Sequence, residues 1–343
     1  MKKLQATEYM YASARIRAME NRLVGRERIE VLVDSKSSGD VMAKLAEYGL
    51  SPANQGDGVV HAEGAASDGR EEMLLSFLKS ACDEVWEAVP SSDAFAWFRY
   101  PYDCNNLKTV IKCQIRDIDP TDMLFDFGTV TAEETVARLT ENKLDAFSPA
   151  LAAAVGEAKE AYAKTGDPQQ IDAILDKACY DDMLAVASAA GNETILGWIK
   201  AKIDLVNAMM CLRILRMNRG ETGRIFMDTC LLEGGFLPLS FFDEAYTGGE
   251  EALWVGLNRS RYERFARAVE GTDSSLSAIE RCADNHWMTL VRDGAKVPFG
   301  AEVAGGYLIG CDVCVKNLRI ILAAKDAGLS SDVLRERIRE SYV

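Results

Sequence analysis

An all-α fold of three similar helical domains is predicted by this sequence on three grounds. Apolar residues recur at helical spacing over most of its 343 residues, and alternating runs of β-branched residues are almost absent. Glycine, proline and small polar residues fall where helices start and stop. One helical stretch also recurs. Its first copy is Tyr102-Asp103-Cys104-Asn105-Asn106-Leu107-Lys108, running through Val110, Ile111 and Lys112. The second is Ile203-Asp204-Leu205-Val206-Asn207, running through Met209, Met210 and Leu212 to Arg213. The third is Asp312-Val313-Cys314-Val315-Lys316-Asn317-Leu318-Arg319, then Ile320, Ile321 and Leu322. The asparagines at 106, 207 and 317 are almost evenly spaced, which divides the chain into units of 1–125, 126–235 and 236–343.

In chain order, residues 7–24 read as a first helix with Thr7 as N-cap and Gly25 beyond its end. Ile29 to Val33 is too short for periodicity to choose between strand and helix. Asp40 to Tyr48 is a helix stopped by Gly49, and the Gly-rich stretch 54–70 is a surface loop or disordered tip. From Glu71, Leu74, Leu75, Phe77, Leu78, Ala81, Val85, Trp86 and Val89 keep helical spacing until Pro90. Thr131-Ala132-Glu133-Glu134 has the spacing of a capping box. Ser148-Pro149 and Asp167-Pro168 open the next two helices, which Gly166 and Gly191 close. The second repeated helix runs from about Glu193 to Arg219, with Gly220 as its cap. Behind it, Leu231 to Leu237 echoes Leu124 to Val130: each has Leu, three residues, Gly, one residue, then Leu or Val. Helices follow near 239–247, 258–269 and 276–293. A Val297-Pro298-Phe299-Gly300 turn, the third repeated helix and a short helix after Ser330-Ser331 complete the chain.

Composition narrows the function classes. The chain has 48% hydrophobic and 27% charged residues and a net charge of −14, a balance that opposes broad attraction to nucleic-acid phosphates or anionic membranes. No uncharged run approaches the roughly 18 residues that cross a bilayer, and residues 1–5 lack the apolar core of a signal peptide. The nine scattered cysteines, several in apolar helical runs, read as reduced core residues of a cytoplasmic protein. No Gly-x-x-x-x-Gly-Lys-Ser/Thr phosphate loop, Glu-x-x-His or His-Glu-x-x-His occurs, and Gly234-Gly235 and Gly305-Gly306 suit a helix cap or close packing better than a dinucleotide fingerprint. His61 and His286 have no ligand-like company, and Cys311-x-x-Cys314 lacks a second pair and sits in an apolar helix. Asp181-Asp182 resembles the start of a magnesium-binding aspartate-rich helix, but Ala185 replaces its third carboxylate. Catalytic, cofactor-binding and metal-binding residues are therefore expected to be none. Two alternatives remain: a helical metal-dependent enzyme acting on diphosphates through Asp181 and Asp182, and a generic helical scaffold.

Asp103 and Asn106 lie one turn apart on one helix face, as do Asp204 and Asn207, while Asp312 is spaced to pair with Lys316 and with Arg319 two turns on. Buried polar groups need partners, so the recurring motif reads as a polar lock that fixes how neighbouring helices dock, in preference to the polar lining of a cavity.

Several stretches also carry a family resemblance over essentially the whole chain: Tyr9-x-x-Ala12-x-x-Arg15-x-x-x-Met19-Glu20, Tyr102-Asp103-x-x-Asn106-Leu107-Lys108, Leu231-x-x-Gly234-Gly235, Val297-Pro298-Phe299-Gly300 with Lys316 to Leu322, and the closing Leu334 to Val343. In these the sequence resembles the C subunits of bacterial and archaeal V/A-type H+/Na+-transporting ATPases, relatives of the d subunit of eukaryotic V-ATPases. The resemblance implies a pseudo-threefold funnel of three helical domains with no active site. It also implies two partners, the central-stalk (shaft) subunits and the cytoplasmic loops of the membrane proteolipid ring. Torque would pass between them at the cytoplasmic face of the membrane, without insertion into the bilayer.

Overall fold

The computed structural model describes residues 3–50, 65–217 and 220–343, and the described residues are helical with no strand. The all-α expectation holds. Among the described residues fifteen α-helices follow one another: α1 (Met10–Met19), α2 (Arg26–Val33), α3 (Ser38–Glu47), α4 (Ala65–Ala88), α5 (Tyr100–Arg116), α6 (Ala132–Glu141), α7 (Pro149–Thr165), α8 (Pro168–Ala190), α9 (Glu193–Met217), α10 (Gly220–Cys230), α11 (Leu239–Asn258), α12 (Glu263–Glu270), α13 (Leu276–Gly294), α14 (Ala301–Asp326) and α15 (Ser331–Arg335). They gather into two compact units. One holds Ser92–Arg267 together with Met1–Leu4; the other holds Gln5–Ser91 and Ala268–Val343.

In the first unit α7 pairs with α8, α8 packs on α5 and α9, and α9 takes α10 and α11. The punctuation read from the sequence accounts for the sharp ends. Ser148 Oγ accepts from the Leu151 amide and Asp167 Oδ1 from the Gln169 amide, while Gly166 and Gly191 end their helices in the left-handed conformation. Thr131 performs only half of its expected capping box: it accepts from the Glu134 amide at 3.2 Å, but the Glu134 carboxylate is turned to Arg138 Nε at 2.7 Å.

In the second unit α14 is the central helix, packed by α1, α3, α4, α13 and α15. Seventeen of its residues are buried, from Ala301 to Ala324. Its glycines allow close packing, as the sequence suggested: a Cβ on Gly306 would lie 2.8 Å from that of Ala295, and one on Gly310 would lie 2.7 Å from Tyr342 Cγ.

Several elements differ from expectation. The Ile29–Val33 run is helical, because Ile29, Leu32 and Val33 at helical spacing give α2 its buried stripe. A 3-10 turn over Ala6–Tyr9 precedes α1, with the Gln5 amide donating to Glu8 Oε2 at 2.7 Å, so Thr7 is not the N-cap. Helix α4 begins at Ala65, so only 54–64 of the proposed loop is left, and it lies outside the described residues, as does His61. Gly220 has the left-handed φ of +55 that suits a capping glycine and is also the first residue of α10; residues 218–219 before it lie outside the described residues. Gly249, at φ +83 and ψ −175, interrupts α11, so the helix expected over 239–247 ends there as read, and a second helical segment runs on to Asn258. The 258–269 helix is correspondingly the shorter α12.

Candidate functional site

The three repeated stretches fall on α5, α9 and α14, and their asparagines are almost fully buried. Each side-chain amide closes a two-bond ring with one backbone residue farther along the chain. Asn106 Nδ2 donates to the Phe125 carbonyl at 2.8 Å, and its Oδ1 accepts from the Phe125 amide at 2.9 Å. Asn207 does the same to Leu232, both bonds 2.8 Å, and Asn317 to Arg339 at 2.9 and 3.0 Å. A primary amide suits this task because it offers a donor and an acceptor side by side, as a neighbouring strand would. The motif is therefore a lock, but its partner differs from expectation. It pins a downstream segment onto the helix; it does not dock one helix on another.

The aspartates extend two of the locks. Asp103 accepts from the Val130 amide at 3.1 Å and from Thr129 Oγ1 at 2.6 Å. Asp204 accepts from the Phe236 amide at 2.9 Å, the Leu237 amide at 3.2 Å and the Tyr262 hydroxyl at 2.6 Å. These carboxylates lie so close to the backbone that a Cβ on Gly128 or Gly235 would collide with Asp103 Oδ1 or Asp204 Oδ1 respectively. That contact explains the glycine shared by the two sequence echoes. Arg99 braces the first loop through the carbonyls of Phe127 and Gly128, and Tyr102 stacks edge-on against Phe127 with centroids 4.6 Å apart.

The third copy is locked by Asn317 alone. Asp312 forms the expected pair with Lys316, Oδ2 to Nζ 2.8 Å, but Lys316 is exposed and Arg319 turns to Glu71. Cys314 occupies the place that Asp103 and Asp204 hold, three residues before the asparagine. The cations of the first copy also do separate work: Lys108 Nζ and Lys112 Nζ reach Asp176 and Asp172 of α8, each at 2.5 Å.

Burial is the largest influence on the Asp103 and Asp204 carboxyls and raises both above the ordinary range, against the opposing hydrogen bonds. A carboxyl raised in the fold adds stability below its unfolded pKa, and that stability is lost as pH rises through the folded value. The stability margin of the native chain over Asp204→Asn should therefore widen as pH falls from neutrality toward the ordinary aspartate value of about 4. Paired urea titrations would check the sign; a margin that narrows toward acid would refute it.

The other candidates do not assemble a reaction centre. Asp182 is buried, accepts from Ser148 Oγ and from the Leu151 amide at 3.3 Å, and so holds the N-terminus of α7. Asp181 is exposed, with its carboxyl raised by partial burial and by Glu233 and Asp182. Cys311 and Cys314 lie in the core of the second unit; burial pushes the Cys314 thiol up to about 11 and the Cys311 thiol well above its usual value. His286 lies on α13. Among the described residues no three His, Cys, Asp or Glu side chains gather as metal ligands, and no helix is long and apolar enough to cross a membrane.

The locks thus hold framework in place, and the family comparison agrees with a structural protein. The model of the ATP synthase (C/AC39) subunit matches residues 12–337. The chain belongs to that family. Full-length relatives extend the match. The A-type ATP synthase C subunit of Thermococcus kodakarensis is 24% identical over 357 residues, covering 97% of this chain and 91% of the relative. The V-type sodium ATPase C subunit of Enterococcus hirae is 21% identical over 337 residues, covering 98% and 99%. The A-type ATP synthase C subunit of Halorubrum lacusprofundi is 24% identical and covers 96% of both chains. The C/AC39 subunit is a structural part of the ATPase complex, so the reading as a diphosphate-processing enzyme is set aside. The matched region contains both complete Asp/Asn locks and the Asn317 helix.

Proposed function

We propose that this chain is the non-catalytic coupling subunit of a V/A-type rotary ATPase. It joins the central shaft to the membrane proteolipid ring at the cytoplasmic face and passes torque between them during ATP-linked transport of protons or sodium. The observation that carries the reading is the end-to-end match to C subunits, about the same length as this chain. The locks support it physically, since a torque-bearing part needs loops that do not slip, and each lock replaces soft solvent contacts with buried, directional hydrogen bonds. Three domains, 1–125, 126–235 and 236–343, arranged as a pseudo-threefold funnel that receives the shaft, belong to the same proposal; the three asparagine locks at near-even spacing support them. The partners are then the shaft subunits and the cytoplasmic loops of the ring. A tagged chain should copurify with both, and its deletion should leave shaft and ring in separate particles. A complete complex assembled without the chain would contradict the reading.

A further inference from the structure

We infer that the Phe236 turn, with Lys200 and Arg261, is a docking site for an acidic segment of a partner polypeptide. The site lies within the unit of Ser92–Arg267. Phe236 follows Gly235 and is 41% exposed, an unusual position for a ring whose own amide is held firmly by Asp204. The ring rests over α9, its Cζ 3.8 Å from the Cβ position of Gly197, and one turn on Lys200 Nζ lies 5.7 Å from the ring centroid. The Arg261 guanidinium carbon is 3.4 Å from the same centroid. Tyr262, next to Arg261, donates to the Asp204 carboxylate that also holds Phe236. One buried carboxylate therefore fixes the backbone beneath both the ring and the guanidinium, which preorganises the surface.

Charge names the occupant. Among the described residues Lys200 and Arg261 form no ion pair, nor do the exposed neighbours Arg259 and Arg264, although acidic residues outnumber basic ones 53 to 39. A guanidinium stacked on a ring keeps its N–H edge open for a carboxylate in two-point contact, while the ring accepts an apolar neighbour of that carboxylate. Exposed aromatics and arginines are characteristic anchors of protein interfaces. An anionic bilayer would meet the net charge of −14 across a broad face, whereas a short acidic segment meets only this patch. The site does not depend on the coupling role.

The test titrates the full chain with a dye-labelled peptide of alternating glutamate and leucine, with its glutamine counterpart, and with phosphatidylglycerol vesicles. The glutamate peptide should bind, and the glutamine peptide should bind about tenfold more weakly or worse. Arg261→Glu and Phe236→Ala should each weaken binding by about tenfold with the melting temperature unchanged, and Arg261→Lys should fall between Arg and Glu. Equal binding of both peptides, full binding by Arg261→Glu, no peptide binding, or binding of vesicles alone would overturn the proposal.

Discussion

Asn207→Ala is expected to cost about 3 kcal/mol of stability in the Ser92–Arg267 unit, since leaving a buried polar group unpaired costs about 1–3 kcal/mol and this change strands two. The Leu232 amide and carbonyl both spend their hydrogen bonds on the Asn207 side chain, and both residues are buried. Water cannot reach either group without opening the segment. Urea titration should show the loss, and hydrogen exchange should show its place, with the amides of Leu232, Phe236 and Leu237 losing protection first. Asn105→Ala is the matched control: Asn105 is exposed beside Asn106, and the change should stay within about 0.5 kcal/mol. Asn106→Ala and Asn317→Ala should follow Asn207→Ala. Unchanged stability with lost partner binding would mean that the asparagines serve recognition, not framework.

Gly235→Ala should be comparably severe for the opposite reason, by adding an atom. The new methyl would collide with Asp204 Oδ1, so the carboxylate must leave. Its departure breaks the bonds from the Phe236 amide, the Leu237 amide and the Tyr262 hydroxyl. Overpacking costs about 1–3 kcal/mol and the stranded donors add to it, for a loss of about 3 kcal/mol or more. Combining Gly235→Ala with Asp204→Ala should cost less than the sum of the two, because alanine at 204 removes the oxygen that the methyl strikes. Strict additivity would show that the two residues do not share one contact. Gly128→Ala should repeat the effect through Asp103. Gly156→Ala should do the reverse: it lies inside α7 with nothing within 4 Å of its Cβ position, so alanine should stabilise by about 0.5–1 kcal/mol.

The helices were legible because their ends are written locally: Ser148-Pro149, Asp167-Pro168, Gly166 and Gly191 each act within a turn of where they stand. The locking residues were legible too, since Asp and Asn in apolar helices must be satisfied somewhere. Their partners were not. Asn106 reaches 19 residues ahead and Asn207 reaches 25, distances set by the intervening chain and not by any local period. The glycine echo was visible, but its cause, a carboxylate pressed on the backbone, needed coordinates. The third copy shows how composition misleads. Asp103 and Asp204 stand three residues before their asparagines, about 60° round the helix, whereas Asp312 stands five before, about 140° round. A similar set of residues therefore faces a different way, and Asp312 serves a surface pair with Lys316.

Ion transport measured against ATP hydrolysis tests the coupling role most directly. Complexes assembled in vesicles with and without this chain should hydrolyse ATP in both cases, but build an ion gradient only when the chain is present. Adding the purified chain back should restore ions moved per ATP, and Asn207→Ala should restore less of it as temperature rises. A complex that pumps with the same ratio in the absence of the chain would contradict the account.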